Sequence, residues 1–410
     1  MSNAYQDYGE IRITLTTEYN WVYDDSGTGA NSDVTFWHPK TQGGLRPLGS
    51  VGIGNHGDSA NGQRATVLIG ASAASNPSKP AVAQPTAWEK VWDDGGSGGK
   101  HDGAVWRAVA PAGYRALGDV AWGGYGWPPM DAIWCVRSDL CSSMAQLSDG
   151  AIWTDAGSGA RMDLSCWPVI PVSAGVNGNE SIPLLTGNFL AYGHHHRPDA
   201  APFTVALKVP NAFKDFSTPP PKITPTTIPT KGKVYNDMTQ CAVTLPFTAY
   251  FPPTDARCVK NIKNPFCTLS RSISWIVEAV WWNEGREAFE RAAEIKYGVS
   301  KTKSQEMEHT VGVTVSAGYG IGLQEYSISL NYQFTTRESS SHTEYTEETV
   351  KETKRVAPGE AVVLFCQRIS LRGERADGSV ISDNAVLATN TLYFTACDLP
   401  KNFSAASLTQ

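Results

Sequence analysis

The sequence lacks long hydrophobic runs and is poor in charge. No stretch of 18 apolar residues occurs in its 410 residues, so no transmembrane helix is expected. Charged residues make up 18% of the chain and the formal net charge is -6, which gives no electrostatic reason to expect nucleic acid as a partner. The N-terminus has no basic start followed by an apolar run. We therefore expect no secretory signal peptide and a chain that is soluble when synthesised.

Motifs for metal binding and redox chemistry are also missing. None of the eight cysteines forms a C-x-x-C pair, which excludes zinc-ribbon and thioredoxin-like sites. The run His194, His195 and His196 is interpreted as a surface loop, because adjacent residues of a strand point to opposite faces. No metal site and no cofactor are predicted. Cys258 and Cys267 flank a short loop and could form a disulfide, with two buried thiols as the open alternative.

What the sequence does contain is an internal repeat. Residues 22–37, 91–106 and 152–167 align without gaps, and the 38 glycines and 25 prolines of the chain favour short strands joined by turns. Each repeat is typical of a strand, a glycine-rich turn and a second strand, and about four short strands fit into one unit. Three such sheets can bury their apolar faces around a common axis. We predict an all-β fold that begins with a three-repeat β-prism-like docking domain over residues 1–196.

The repeats share an aromatic residue and two aspartates. These positions are Tyr23, Asp25 and Asp33, then Trp92, Asp94 and Asp102, then Trp153, Asp155 and Asp163. Carboxylates accept hydrogen bonds from sugar hydroxyls and aromatic rings stack on sugars, so these nine residues are candidates for binding a glycan or glycolipid. A scaffold of turn glycines and core aromatics is a second interpretation, and a cation site is a third. The G-x-S-x-G match at 95–99 is a by-product of the repeat, and no enzyme is predicted.

The composition changes after residue 196. Residues 217–231 contain five prolines and no hydrophobic periodicity, so 197–233 is predicted to be an extended linker. In the module 234–410, the pattern predicts a strand over 273–282 and a short helix over 284–295. Long strands are expected from residue 297 onward.

The stretch 310–334 alternates apolar and small polar residues and has one charge, Glu325. The alternation slips by one position after Leu323, as a turn at Gln324 and Glu325 would produce. Both arms approach the ~9–11 residues of a membrane-spanning strand, and such a hairpin would close a β-barrel only in an oligomer. The predicted lipid-facing residues are Val311, Val313, Val315, Ala317, Tyr319, Ile321, Leu323, Tyr326, Ile328, Leu330, Tyr332 and Phe334. A plain β-sandwich hairpin with one buried face is the alternative.

Two family resemblances follow from these patterns. The segments 33–39 (DVTFWHP), 113–118 (GYRALG) and 135–140 (CVRSDL) resemble the family of vacuolar protein sorting-associated protein 62. That resemblance covers about residues 11–171 and implies a fold more than a mechanism. The Ser/Thr-rich strands that frame 310–334 give about 271–397 a resemblance to the aerolysin family of β-pore-forming toxins. It implies a tongue that lies against the body of the soluble protein and is released on assembly.

Together the two resemblances match the arrangement of natterin-like proteins, a binding domain followed by a pore module. The resulting hypothesis is a cytolytic or insecticidal pore-forming toxin that docks on a target cell membrane. A glycan or glycolipid would serve as receptor, homo-oligomers would form, and the hairpin of each would insert as a barrel. The protein would reach its target by release or secretion. A non-lytic carbohydrate-binding protein with a structural C-terminal β domain is the alternative.

Overall fold

In a computed structural model the protein is almost entirely β, with 47% of residues in strands and 4% in helices. This confirms the predicted all-β class. The structure describes residues 4–171, 181–184, 186–210, 212–213, 218–297, 313–316, 320–323, 348–400 and 403. Within these ranges the helical segments are single short turns, at Ser138–Leu140, Phe247–Ala249 and Ala256–Lys260. None of the helices in the described ranges has the length and apolar character needed to cross a membrane.

The chain divides into two compact units. Unit 1 consists mainly of Met1–Asn211 together with Leu245–Phe266, and unit 2 mainly of Ala212–Thr244, Cys267–Gly322 and Leu330–Gln410. The predicted domain limits placed 245–266 with the C-terminal module, whereas the structure groups this segment with unit 1.

Unit 1 is built from the three repeats. Its strands are β1 (Gln6–Tyr8), β2 (Ile11–Thr16), β3 (Tyr19–Asp24), β4 (Thr35–Pro39), β5 (Val51–Ile53), β6 (Thr66–Ala71), β7 (Val82–Ala83), β8 (Ala87–Asp93), β9 (Gly103–Val109), β10 (Tyr114–Arg115), β11 (Val120–Gly123), β12 (Cys135–Arg137), β13 (Cys141–Ser142), β14 (Ala145–Leu147), β15 (Trp153–Thr154), β16 (Ser165–Pro171), β17 (Ser181–Leu184), β18 (Phe189–Tyr192) and β19 (Ala206–Pro210).

Each repeat contributes two small sheets, not the single sheet of about four strands expected from the sequence. One sheet carries the repeated motif, in the orders β3-β4-β5 and β8-β9-β11. In the third repeat this sheet has four strands, with β14, β15 and β18 each paired to β16. The other has the orders β1-β2-β6, β7-β12-β10 and β13-β19-β17. Strands of two or three residues were too short to show a period in the sequence. The motif-bearing sheets are equivalent in register, because Trp37, Trp106 and Trp167 lie opposite Val51, Val120 and Leu190.

The motif-bearing sheets of all three repeats share one hydrophobic core. Its fully buried members include Tyr23, Phe36, Trp92, Trp153 and Phe189. A three-stranded sheet cannot bury its apolar face alone, so the repeats fold by covering one another. The prediction of a three-repeat, prism-like domain is therefore confirmed.

Unit 2 has longer strands. They are β20 (Ala212–Phe213), β21 (Val234–Pro246), β22 (Phe266–Trp282), β23 (Phe289–Tyr297), β24 (Val313–Ser316), β25 (Gly320–Leu323), β26 (Glu348–Val356), β27 (Glu360–Arg375) and β28 (Val380–Asp398). A five-stranded sheet has the order β20-β21-β22-β27-β28, and its centre packs Trp275, Val277, Val363 and Phe365.

The predicted helix over 284–295 is wrong. Residues Phe289–Tyr297 form β23, which pairs antiparallel with β26 from Phe289 opposite Val356 to Tyr297 opposite Glu348. Ala292 and Ala293 favour a helix locally, but Ile295 is buried and the nine-residue pairing with a distant strand overrides that preference.

Candidate functional site

The repeated Asp/Gly loops of unit 1 are hydrogen-bonded to one another in a ring. In each loop, the donor is the backbone N–H of the residue six positions after the first aspartate. The acceptor is the carbonyl oxygen of the residue that directly follows the first aspartate of another loop. The three bonds run from Asn31 to Ala156 (2.8 Å), from Lys100 to Ser26 (2.8 Å) and from Arg161 to Gly95 (3.0 Å). The loops also approach closely, since a Cβ added to Gly157 would lie 2.8 Å from the carbonyl oxygen of Gly29. Backbone hydrogen bonds therefore join the three repeats, and the missing side chain at Gly157 permits the close approach of its loop to Gly29.

The first aspartate of each repeat is a buried structural acceptor. Asp25, Asp94 and Asp155 are each only 3% exposed. One carboxylate oxygen of each accepts the backbone N–H nine residues later, from Val34 (2.9 Å), Gly103 (3.1 Å) and Leu164 (2.7 Å). These bonds close the loops.

The aromatic rings of the motif do not face solvent. Tyr23, Trp92 and Trp153 are at most 2% exposed, and Trp92 contacts the other two rings edge to face, with ring centroids 5.8 and 5.7 Å apart. Stacking of these three rings on a sugar, as the sequence suggested, is therefore wrong. The side chains fill the core where the repeats meet, and the sequence pattern could not distinguish a core ring from an exposed one.

The second aspartates are exposed, and two of them lie beside a histidine. The His195 Nε2 atom is 2.7 Å from Asp155 Oδ1 and 3.5 Å from Asp163 Oδ1. In the first repeat, His56 Nε2 is 2.5 Å from Asp25 Oδ1, and its Nδ1 is 3.9 Å from Asp33 Oδ2. In each cluster, three atoms of metal-ligand type lie within 4.8 Å of one another.

The electrostatics of the first cluster favour a charged histidine. Partial burial opposes the protonated ring of His56, but the hydrogen bond and the charge of Asp25 outweigh burial and raise the His56 pKa. Neither histidine was predicted as a site residue, and His195 was assigned to a surface loop. Strand register shows that they are equivalent, because His56 and His195 each stand five residues after the strand position opposite the motif tryptophan, at Val51 and Leu190.

The second repeat differs at this position. Tyr125 stands there, and its hydroxyl donates to Asp102 over 3.0 Å. Further aromatic side chains are exposed in the first two repeats. Tyr125 is 45% exposed, Trp127 69% and Trp21 43%, and the Trp21 ring packs edge to face on His101. These side chains, with the carboxylate of Asp102, offer the ring faces and acceptor that the buried aromatics cannot.

The predicted hairpin is only partly within the described residues. Val313 and Val315 lie in β24, and Ile321 and Leu323 lie in β25. Strands β24 and β25 pair with each other, so residues 313–323 are not one continuous strand as the alternation predicted. The predicted turn residues Gln324 and Glu325 lie outside the described residues. The other predicted positions, which are Val311, Ala317, Tyr319, Tyr326, Ile328, Leu330, Tyr332 and Phe334, lie outside the described residues.

The strands on either side of this region form a matched pair. Strand β23 ends at Tyr297 and β26 begins at Glu348, and these two residues are register partners. The chain therefore leaves the paired strands at Tyr297 and returns to them at the adjacent position. Strands β23 and β26 carry charged residues at opposite positions, with Glu294 opposite Lys351 and Arg291 opposite Lys354.

The predicted disulfide between Cys258 and Cys267 is wrong. Cys258 is a buried thiol that forms no disulfide, and its Sγ lies 3.8 Å from the carbonyl oxygen of Phe251, to which it donates. Burial raises the pKa of this thiol above its usual range, so the group is unreactive as a nucleophile. The alternative of a buried thiol at Cys258 is the one that the structure contains.

Comparisons with known proteins give one family and several similar solved structures. The chain is similar to the crystal structure of GNIP1Aa from Chromobacterium piscinae, with 30% identity, a TM-score of 0.37, and coverage of 48% of this chain and 37% of that one. It is also similar to the crystal structure of Cry35Ab1, with 11% identity, a TM-score of 0.34, and coverage of 95% and 90%. Both TM-scores are too low to transfer an activity to this chain.

A search of the curated proteins gave no match. The sequence model of one family covers residues 1–222, which is more than half of the chain. The protein therefore belongs to the Vps62 family, vacuolar protein sorting-associated protein 62.

Proposed function

We propose that the protein is a pore-forming toxin. Unit 1 docks on a target cell surface, protomers assemble on the membrane, and the region 311–334 of each inserts as part of a shared barrel. The observation that carries the proposal is the register of β23 and β26. These strands hold both ends of 298–347 side by side, so this stretch leaves and re-enters the unit at one place. A segment attached in this way can extend from the strand pair without unfolding the five-stranded sheet.

The composition of the segment supports insertion. From 310 to 334 the only charged residue is Glu325, and apolar residues alternate with glycine, serine, threonine, asparagine and glutamine. Alternating strands of this kind place apolar side chains toward lipid and small polar side chains toward a lumen. A solvated face of a soluble sheet usually carries lysine or glutamate, as β26 does with Lys351, Glu352 and Lys354. Because isolated hairpin edges cannot remain unpaired in lipid, insertion requires a homo-oligomer.

Docking is proposed for the surface of unit 1 around Tyr125. Exposed rings at Trp21 and Trp127 and the carboxylate of Asp102 are suited to a glycan or glycolipid headgroup. The same surface supports the alternative function, a carbohydrate-binding protein that does not permeabilise membranes. The two functions differ in whether bound protein releases the contents of a vesicle.

The experiment measures calcein release from vesicles of phosphatidylcholine, phosphatidylserine and cholesterol that contain a nickel-chelating lipid. A histidine tag on the full chain tethers it to these vesicles, so an unknown receptor is not required. The test variant is Val313→Asp with Val315→Asp. The matched control is Thr314→Asp with Ser316→Asp, which adds the same charge to the same strand on the opposite side of the alternation.

We expect the wild type and the Thr314/Ser316 variant to release dye, and the Val313/Val315 variant to be at least about tenfold slower. The reason is that a charge on the lipid-facing side of a barrel strand is destabilising, by ~2–4 kcal/mol for Lys or Arg at the midplane and less for Asp. Circular dichroism and gel filtration establish that each variant is folded. Tethered wild type that releases no dye contradicts pore formation and leaves the carbohydrate-binding alternative. If dye release slows equally in both variants, the assignment of the lipid-facing side of the strand is contradicted.

A further inference from the structure

In the cluster of Asp155, Asp163 and His195, one imidazole nitrogen lies beside two carboxylates. His195 Nε2 lies 2.7 Å from Asp155 Oδ1 and 3.5 Å from Asp163 Oδ1. The ligand atoms of the three groups lie within 4.8 Å of one another, so the negative charges of the two carboxylates repel. A divalent cation held by all three groups would remove the repulsion.

The buried ligand of this cluster is preorganised. Asp155 Oδ1 accepts the N–H of Leu164 over 2.7 Å, and Asp155 Oδ2 accepts the indole N–H of Trp92 over 2.9 Å. These bonds fix the carboxylate so that Oδ1 faces His195. Hydrogen bonds that orient a ligating side chain are typical of metal sites. The side chains of the other two ligands, His195 and Asp163, are 40% and 61% exposed, which leaves coordination positions open to water.

The same arrangement recurs in the first repeat and not in the second. Asp25, Asp33 and His56 occupy the equivalent positions, and their ligand atoms also lie within 4.8 Å of one another. In the second repeat Tyr125 replaces the histidine and donates its hydroxyl to Asp102. The repeat symmetry therefore gives two complete ligand sets and one incomplete set within the described residues.

We propose that unit 1 binds two divalent first-row transition-metal ions, one at Asp155, Asp163 and His195 and one at Asp25, Asp33 and His56. One imidazole nitrogen and two carboxylate oxygens suit Zn²⁺ and Mn²⁺ better than Ca²⁺, whose sites are built from oxygen. The site at His195 is the tighter of the two, because one ring nitrogen already faces both carboxylates. At His56 the two carboxylates lie nearest different ring nitrogens. The proposal does not depend on pore formation by unit 2.

The neighbouring histidines provide an internal contrast. The rings of His194 and His196 stack on each other with centroids 4.1 Å apart, and His194 Nδ1 lies 2.7 Å from the carbonyl oxygen of His196. Only the middle residue of the run reaches the carboxylates. Three histidines on one ion are therefore excluded here, and a variant at His194 serves as a matched control.

The test is equilibrium dialysis of the untagged full chain against Zn²⁺, with bound metal measured by elemental analysis. We expect two ions per chain for the wild type and for His194→Gln, one for His195→Gln or His56→Gln, and none for the double variant. Bound Co²⁺ should show visible absorption bands that His195→Gln weakens by about half.

Variants at the exposed carboxylates test metal binding with little risk of unfolding the protein. Asp33 and Asp163 are about 60% exposed in the structure, at 60% and 61%, so Asp33→Asn and Asp163→Asn leave the buried bonds intact. Each should weaken binding at its own site at least about tenfold. A wild type that binds neither Zn²⁺ nor Mn²⁺ at 100 µM free metal overturns the proposal. So does a double histidine variant that binds as much metal as the wild type, since the ions are then held elsewhere.

Discussion

The indole N–H of Trp92 donates to the buried carboxylate of Asp155 over 2.9 Å, although these residues belong to different repeats. The equivalent indole of Trp153 donates instead to the backbone carbonyl of Ser32, over 2.8 Å. At the third equivalent position, Tyr23 has a buried hydroxyl with no hydrogen-bond partner among the described residues. Three equivalent core positions thus have three different hydrogen-bonding environments. Substitutions at these positions can therefore separate the contribution of the hydrogen bond to stability from that of ring packing.

Replacing Trp92 with Phe should destabilise unit 1 more than replacing Trp153 with Phe. A hydrogen bond to a charged group contributes about 1.5–3 kcal/mol and a neutral one about 0.5–1.5 kcal/mol, while the loss of ring volume is the same in both variants. Tyr23→Phe should be close to neutral, since its hydroxyl has no partner to lose. The measurement is urea unfolding followed by far-ultraviolet circular dichroism. Equal destabilisation by the two tryptophan variants would show that ring volume alone decides the effect.

The sequence predicted the three-fold plan of unit 1 because the same residues recur at the same spacing. It could not decide between the roles of Tyr23, Trp92 and Trp153, since buried and exposed rings leave the same repeat pattern. The sequence correctly identified two aspartates in each repeat. It could not show that the first is a buried hydrogen-bond acceptor and the second is exposed, because this depends on how the loops fold back. His56, Tyr125 and His195 were missed, because they align only when strand register is known.

In unit 2 the failures have a different cause. Residues 284–295 have local helix preference, and only the pairing of β23 with the distant β26 makes the segment a strand. Alternation alone predicted one continuous strand up to Leu323, whereas β24 and β25 pair with each other within that stretch. Alternation indicates that a strand has two faces but does not fix its partner. Long-range pairing is therefore the information that the sequence pattern did not supply.

Gly157→Ala should be among the more destabilising single substitutions in the repeat loops. Gly157 has a φ of +85°, and an added Cβ would lie 2.8 Å from the Gly29 carbonyl oxygen. Gly187→Ala is the matched control, because Gly187 has a φ of +81° and an added Cβ would have nothing within 4 Å. Both variants bear the cost of a left-handed backbone, about 1–2 kcal/mol, and only Gly157→Ala also forces two loops apart.

The expected result is a loss of about 1 kcal/mol for Gly187→Ala and about 3 kcal/mol or more for Gly157→Ala, measured by urea unfolding. Hydrogen exchange should also show faster exchange at the amides of Asn31, Lys100 and Arg161 in the Gly157 variant, since these donate across the loops. If the two alanine variants lose equal stability, the close approach of the loops makes no contribution.

His38 should make unit 1 less stable as the pH falls from 6.5 toward 4. Its ring is buried, with Nδ1 3.0 Å from Ser50 Oγ and Nε2 3.2 Å from the carbonyl oxygen of Ala132. Burial lowers the His38 pKa to about 4, and the Ala132 carbonyl opposes this only partly. Between pH 6.5 and 4 the unfolded chain therefore binds a proton at His38 that the folded protein does not, so the free energy of unfolding decreases with falling pH and levels off below about pH 4.

The size of this effect can be measured by comparing the wild type with His38→Gln at pH 7 and pH 4.5. A pKa lowered from 6.5 to about 4 corresponds to about 3 kcal/mol in full, and about 2–3 kcal/mol of it should be lost by pH 4.5. His38→Gln keeps a polar group in the site but does not titrate, so it should be less stable than the wild type at pH 7 and should lose much less between the two values. Glu10 does not interfere, because hydrogen bonds from Arg137 and Asn76 lower its pKa to about 2 and its protonation affects stability below pH 4.5. A variant that loses as much stability as the wild type over this interval would assign the pH dependence to other groups.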